Sequence, residues 1–243
     1  LFAEPDRLSG KQYLNSMPMP NDVRDQLAQV LLDTDGVFSM IIKESGNTVL
    51  MMSVKNEYDN ILPRTTQIIE KGNVKPWIYE YEGIVPPLPK LTVGTAGIGV
   101  NVTSPEPDAI VRKLPILIKV KNKLYPSMLL ENVRMLYDSN RIKVIAKEHG
   151  IDEVLVKKNA GIPVNHFAEM YINYANPSSY VEMTADEVLQ DSFNENKVKG
   201  RVVIIGLDAA GLSVLKYTPH GLMTDQSVTA QAMDTILTGE FLY

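Results

Sequence analysis

The stretch VGTAGIGVNVTSPEPDAIVRKLPILIKVKNKLYPSMLLE, Val93–Glu131, is where the hydropathy pattern of the chain becomes regular. Apolar residues recur at every second position over Leu114–Val120, and this period is typical of strands. We therefore predict a hairpin of strands over 97–104 and 110–120, joined by the acidic turn SPEPD. A further turn leads to Pro126, a residue type that suits the first position of a helix.

Helical patterns lie on both sides of this stretch. The helix that starts at Pro126 would bury one apolar side, formed by Leu129, Leu130, Val133, Leu136 and Tyr137. Upstream, Asn21 is predicted to cap a helix over 22–32. That helix is expected to pack on a core through Val23, Leu27, Val30 and Leu31.

Strands are predicted at four further places, which are 49–54, 153–156, 170–174 and 202–206. The first and the last of these are continuously apolar, a pattern typical of strands that are covered on both faces. The weakly patterned region that ends at the proline-rich segment 84–90 is predicted as a long surface loop.

Two helices complete the predicted elements. The capping box Thr184–Glu187 would begin a brief helix, and a final helix over 228–237 would end at Gly239. Interleaved strands and helices indicate an α/β fold, with a layered mixed sheet flanked by helices and a β-hairpin insertion. We treat residues 1–243 as a single domain, although the length alone also fits two smaller ones.

The composition narrows the classes of function. The net charge is -5, and no run of lysine and arginine forms a stripe for nucleic acid, so we expect no nucleic-acid partner. The absence of cysteine excludes disulfides, cysteine zinc sites and thiol catalysis, but it fits either side of a membrane. No apolar run approaches the roughly 18 residues that cross a bilayer. The chain begins without methionine, and we expect it to be part of a longer protein.

Motifs that would indicate an enzyme or a cofactor are incomplete. The glycines of Gly94–Gly99 are followed by a strand rather than the helix that a dinucleotide site needs. Ser213 lies beyond its strand and lacks the second glycine of a nucleophile elbow. The three histidines, His149, His166 and His220, lack metal-type spacing. We therefore predict no catalytic residue, no metal and no cofactor.

Several segments, taken in order along the chain, resemble the CHASE2 domain. In the stretch Val93–Glu131 the resemblance is carried by Gly99, Asn101, Asp108, Arg112, Pro115, Tyr125, Pro126 and Ser127. The other segments are LFAEPDR at 1–7, YINYANP at 171–177, KGRVVIIGLDAAGLSVLKYTP at 199–219 and VTAQAMDTILTGEFL at 228–242. The chain departs from the family at Ala109, where a glycine is usual, and at Thr229 and Gln231, where histidine and asparagine are frequent.

The resemblance implies a sensor module of bacterial membrane receptors that lies outside the cytoplasm. Such domains usually begin with a strand and a helix, which here would lie upstream of Leu1, and continue into transmembrane helices and a cytoplasmic output module. The output module is typically a histidine kinase, a Ser/Thr kinase or a nucleotide cyclase. We accordingly expect an unidentified small ligand or stimulus, a homodimer and attachment to the membrane through flanking helices.

Ligands of α/β sheets tend to bind beyond the carboxyl ends of parallel strands, which points to the loop 206–218. The candidate ligand-binding residues are Asp208, Thr218, His220, Asn173, Tyr174 and Arg112. For each of them a purely structural role stays open, and Arg112 could either bind an acidic ligand or pair with Asp108. Two other functions also stay open: a stand-alone hydrolase that uses Ser213 or Asp208, and a dimerisation module without a ligand.

Overall fold

The computed structural model describes residues 3–6, 9–57, 62–103, 106–174, 180–190, 192–209 and 213–242, with the side chain of Gln12 left aside. Predictions that involve Leu1, Phe2, Arg7, Ser104, Pro105, 175–177 and 210–212 lie outside the described residues. The chain divides into two compact units. The first unit comprises Leu1–Val102 and Pro115–Glu169, and the second comprises Thr103–Leu114 and Met170–Tyr243.

The helices are α1 Gly10–Ser16, α2 Asn21–Val30, α3 Thr34–Ser45, α4 Pro89–Thr92, α5 Met128–Leu136, α6 Ala185–Leu189 and α7 Asp225–Thr238. The strands are β1 Val49–Lys55, β2 Gln67–Lys71, β3 Glu80–Tyr81, β4 Gly83–Val85, β5 Gly97–Asn101, β6 Lys113–Pro115, β7 Leu117–Val120, β8 Lys123–Pro126, β9 Arg141–Lys147, β10 Gly150–Lys157, β11 Ala160–Ile162, β12 Glu169–Tyr171, β13 Leu215–Thr218 and β14 Gly221–Thr224. Short 3-10 turns lie at Lys75–Trp77 and Glu195–Lys197.

The strands form mixed sheets flanked by helices, which confirms the predicted α/β class. Strand β1 lies between β4, which is antiparallel to it, and β5, which is parallel. In the order β11-β10-β9-β2, strands β2 and β9 are parallel and the other pairs are antiparallel. Strand β7 lies between a parallel β3 and an antiparallel β8. Strands β6 and β12 pair with each other, as do β13 and β14.

A hairpin is present in this region, as predicted, but it is formed by other strands than the predicted ones. Strand β5 runs parallel to β1, with Gly97 opposite Val49, and does not pair with 110–120. The hairpin of this region is formed by β7 and β8. Its turn residues, Lys121 and Asn122, have φ values of 46° and 63°, as in the turns that best match the twist of paired strands. Alternating hydropathy indicates a strand but carries no information on its partner, so the prediction failed at that step.

Helix α5 forms where it was predicted, but it begins two residues later, at Met128. Pro126 is the last residue of β8, and Ser127 caps the helix by accepting a hydrogen bond from the Leu130 backbone N–H at 3.2 Å. Leu129, Leu130 and Val133 are buried as predicted. Leu136 and Tyr137 are 52% and 44% exposed, contrary to the prediction, because they lie at the end of the last turn.

Helix α2 also forms where it was predicted, yet none of its residues is buried. Val30 is 84% exposed and Leu27 is 40% exposed, so the expected packing on a core is wrong for the described residues. Pro20, and not Asn21, occupies the N-cap position. The spacing of apolar residues predicts that a helix is amphipathic, but it does not supply the surface that would cover it.

Two predicted apolar segments have the opposite environment from the one expected. The region that ends at 84–90 is not a surface loop, because Ile84 of β4 and Leu91 of α4 are each only 1% exposed. The segment Val202–Gly206 is not a strand, and Ile205 is 91% exposed. A strand needs a neighbour to satisfy its backbone, and within the described residues no strand pairs with this segment.

The core of the first unit is formed by the inward side chains of several sheets, namely Met52, Ile84, Ile98, Val100, Ile118, Val120 and Tyr125. Beside it, helix α5 carries a buried ion pair. The Arg134 Nε donates to Glu131 Oε2 at 2.5 Å, and Glu131 is completely buried. Arg134 also donates to the carbonyls of Ala96 and Ser139, and Glu131 accepts from the Thr66 hydroxyl.

Candidate functional site

Three segments of the second unit lie side by side and position most of the predicted site residues. The Val111 backbone N–H donates to the Tyr217 carbonyl at 2.8 Å, which places 110–112 beside β13. On the other side, the Ile172 N–H donates to the Arg112 carbonyl at 2.9 Å. The segment 110–112 therefore brings together side chains that are far apart in the sequence.

Arg112 is paired with a carboxylate of its own turn. Its guanidinium donates to Asp108 Oδ1 at 3.0 Å and to Oδ2 at 2.8 Å, and the Ile110 N–H also donates to Oδ1 at 3.1 Å. Ala109 has a φ of 60°, a backbone conformation that favours glycine, which explains why a glycine would suit this position. Of the two predicted roles for Arg112, pairing with Asp108 is present in the structure.

The pair has a measurable consequence for titration. The hydrogen-bonded Arg112 guanidinium, together with the Ile110 N–H, lowers the pKa of Asp108 from 3.8 to about 2. We expect the Asp108 carboxyl carbon to titrate near that value in an NMR pH series, and Arg112→Gln to return the midpoint towards 3.8. Because the pKa is lowered on folding, the stabilisation is present above the ordinary pKa and disappears as pH falls towards 2. A wild-type midpoint at the ordinary value would contradict the pairing.

Tyr174 and His220 lie against each other. Their ring centroids are 6.0 Å apart, with an angle of 36° between the ring planes. The Tyr174 hydroxyl donates to the Val111 carbonyl at 2.8 Å. Burial raises the pKa of Tyr174, so the hydroxyl stays protonated and remains a donor at neutral pH. His220 is exposed, so its ring is available to a ligand.

Thr218 shapes the turn that carries His220. It is 6% exposed and is the last residue of β13. Its hydroxyl donates to the Gly221 carbonyl at 2.8 Å and accepts from the His220 N–H at 3.2 Å. The Thr218 side chain therefore satisfies backbone groups of the β13–β14 turn, which is the structural role that stayed open for it.

Asn173 and Asp208 do not contact the Tyr174–His220 pair through the hydrogen bonds described above. The Asn173 N–H donates to the Thr235 hydroxyl at 3.0 Å, and its side-chain amide donates to the Glu240 carbonyl at 3.1 Å, so it is engaged with the end of α7. Asp208 is exposed and has no hydrogen-bond partner within the described part of the chain. The structure thus brings together the segments that carry Arg112, Tyr174, Thr218 and His220, with Asn173 beside them, while Asp208 makes none of these contacts within the described residues.

The side chains around the Tyr174–His220 pair offer hydrogen bonds and charge for recognition. The Ser213 hydroxyl donates to the Ala209 carbonyl at 3.0 Å, which weighs against this residue as an activated nucleophile. Across the described residues, no group of three or more histidine, aspartate or glutamate side chains could hold a metal ion. None of the described helices is long and apolar enough to span a bilayer.

The family model of the CHASE2 domain matches residues 1–242. The chain belongs to the CHASE2 domain family. This membership confirms the resemblance, and CHASE2 domains are extracellular sensor domains of receptors. Comparison of this CHASE2 domain with curated proteins and with solved structures finds no match.

The sequence did not indicate a cleft of about 500 Å³ in the first unit of this CHASE2 domain. Its lining residues are Arg64, Thr65, Thr66, Gln67, Ile68, Glu70, Lys75, Asn122, Lys123 and Leu124. Arg64 and Lys75 are 11 positions apart, and Lys123 follows Lys75 by 48 positions, so the cationic members form no motif. The local signal in the sequence is an arginine followed by two threonines, at 64–66.

Proposed function

We propose that this CHASE2 domain is the sensing part of a transmembrane receptor and lies outside the cytoplasm. In this proposal, occupancy by a ligand or stimulus changes the packing of the domain, and membrane helices outside this sequence pass the change to a cytoplasmic kinase or nucleotide cyclase. The single observation that carries the proposal is the family match over 1–242, since CHASE2 domains are sensor domains of receptors.

The physical requirement of such a sensor is differential affinity. A ligand shifts an equilibrium between two conformations only as far as it binds one of them more tightly than the other. A homodimer is the setting that we propose, because kinase and cyclase output modules act in pairs and a twofold interface can carry a change of packing.

The side chains proposed to contact the ligand are those around the Tyr174–His220 pair. His220 presents an exposed ring that can donate or accept a hydrogen bond, and the half-buried Tyr174 lies against one side of that ring. The Arg112 side chain is 43% exposed, so its guanidinium could contact a polar ligand while it stays paired with Asp108. Thr218 and Asn173 would act by holding the backbone in place.

We expect His220→Ala in the full-length receptor to raise the stimulus concentration for half-maximal output by about tenfold, the effect of losing one good hydrogen bond. Output of the kinase or cyclase is the measurement, and Lys157→Gln, an exposed substitution in the first unit, is the matched control. Asp208→Ala and Thr218→Ala test the loop 206–218. Wild-type output in all three site variants would remove this region from the proposal.

A dimerisation module without a ligand is the second candidate, and exposed apolar side chains favour it. Val203, Ile205 and Leu207 are 55%, 91% and 67% exposed. Thermal-shift screening separates the two functions, because a ligand that binds only the folded state raises the apparent stability by mass action. No shift across a broad library, together with dimer formation that depends on concentration, would favour the module without a ligand.

A further inference from the structure

The cleft in the first unit concentrates positive charge in an acidic protein. It lies beside the start of β2 and the turn between β7 and β8. Arg64, Lys75 and Lys123 line it, and Glu70 is the acidic residue among the lining side chains. The chain as a whole carries a net charge of -5, so the sign of this local charge is opposite to that of the protein. Such a cleft attracts small anions.

The cationic side chains keep hydrogen-bond donors free for a ligand. Arg64 has no partner among the described residues, so its planar guanidinium can engage an oxyanion through two N–H groups. Lys123 donates to the Pro63 carbonyl at 2.7 Å, which uses one of its three N–H donors. The Lys75 Nζ is 3.7 Å from Glu70 Oε1, a contact that is too long for a hydrogen bond.

A buried hydroxyl in the lining, that of Thr65, has no hydrogen-bond partner among the described residues. Its Oγ1 is shielded from solvent and makes no hydrogen bond within the part of the chain that the structure describes. Buried polar groups normally have a hydrogen-bond partner. Where the protein supplies none, a bound water, ion or ligand can be the partner. Arg64 and Thr65 both line the cleft, so a small shift that turns the shielded Thr65 hydroxyl towards it would let one bound oxyanion accept from both residues.

We propose that this cleft binds a small organic oxyanion with two negative charges, either a dicarboxylate or a phosphate monoester. A volume of about 500 Å³ suits a small metabolite. Desolvation lowers the pKa of Lys123, and a bound anion would offset this effect because it stabilises the charged form. The site is distinct from the side chains around Tyr174 and His220, and its binding can be tested whether or not the domain signals.

The purified 243-residue chain is titrated at low salt with succinate and, separately, with glycerol 3-phosphate. Calorimetry and NMR measure the binding. Succinamide and glycerol are the neutral controls of matched shape. We expect saturable binding of one of the two anions, weakened by salt, and no binding of its neutral analogue. Comparing the two anions distinguishes a dicarboxylate ligand from a phosphorylated one.

Three substitutions connect the binding to the cleft. Arg64→Gln and Lys123→Gln each remove one charge-assisted hydrogen bond and should weaken binding about tenfold or more. Thr65→Val keeps the shape of the side chain and should weaken binding less, by about fivefold. Lys157→Gln removes one exposed charge that does not line the cleft and should leave the affinity unchanged.

Two results would overturn the proposal. The first is the absence of saturable binding of both anions at concentrations up to about 10 mM. The second is an equal loss of affinity in Lys157→Gln and Arg64→Gln, which would indicate attraction by overall charge. Arg64 is exposed and unpaired within the described residues, so its variant should fold like the wild-type chain.

Discussion

Arg134→Met is expected to lower the free energy of unfolding by about 3–5 kcal/mol, the usual cost of leaving one member of a buried ion pair without its partner. Glu131 has no exposed surface, so its carboxylate would lose the Arg134 Nε–H with no water to replace it. The carbonyl of Ala96 would lose its guanidinium donor as well. Urea unfolding followed by circular dichroism measures the change.

The matched control for this prediction is Arg141→Met. Arg141 is exposed at the start of β9, and its replacement should change the stability by less than about 0.5 kcal/mol. A double-mutant cycle with Glu131→Gln isolates the interaction, and the double variant should be less destabilised than the sum of the single ones. Additive single effects, or a loss below about 1 kcal/mol for Arg134→Met, would contradict the role of this pair.

Gly99→Ala is expected to destabilise the first unit by about 3 kcal/mol, at the upper end of what overpacking costs. A Cβ at position 99 would lie 2.3 Å from the Met128 Cα and 2.8 Å from the Ser127 carbonyl oxygen. These are backbone atoms at the start of α5, so relief requires the helix to move away from β5. The substitution would therefore disturb the contact between α5 and the sheet.

Gly161→Ala is the control for Gly99→Ala. A Cβ at position 161 would approach the Leu155 Cδ2 at 3.0 Å, and that atom is the end of a flexible side chain. We expect a change of less than about 1 kcal/mol, because alanine also restricts the unfolded chain. Equal midpoints of thermal unfolding for the two variants would show that α5 and β5 do not pack as closely as described.

The features that the sequence predicted correctly are local ones. Strand β1, the capping box that begins α6 and the end of α7 at Gly239 all depend on residues within a few positions of one another. The same holds for the Asp108–Arg112 pair, which spans four positions. Propensity, capping and short-range pairing are encoded in neighbouring side chains, so no tertiary information was needed.

The features that the sequence did not predict depend on a partner that is distant in the chain. Strand β5 pairs with β1 rather than with the next strand in the chain, and the hydropathy pattern does not specify the pairing partner. Val202–Gly206 is as apolar as β1 but has no strand beside it within the described residues. The cleft could not be predicted for the same reason, because Arg64, Lys75 and Lys123 come together only in the folded chain.

The central claim is that this CHASE2 domain senses a stimulus outside the cytoplasm. The chain contains no cysteine, so Lys158→Cys, in the exposed turn between β10 and β11, introduces a unique reactive group into it. The most direct measurement is labelling of this cysteine by a membrane-impermeant maleimide in intact cells that produce the full-length protein, compared with the protein without it. We predict labelling without permeabilisation. Labelling that occurs only after the cells are opened would contradict the account.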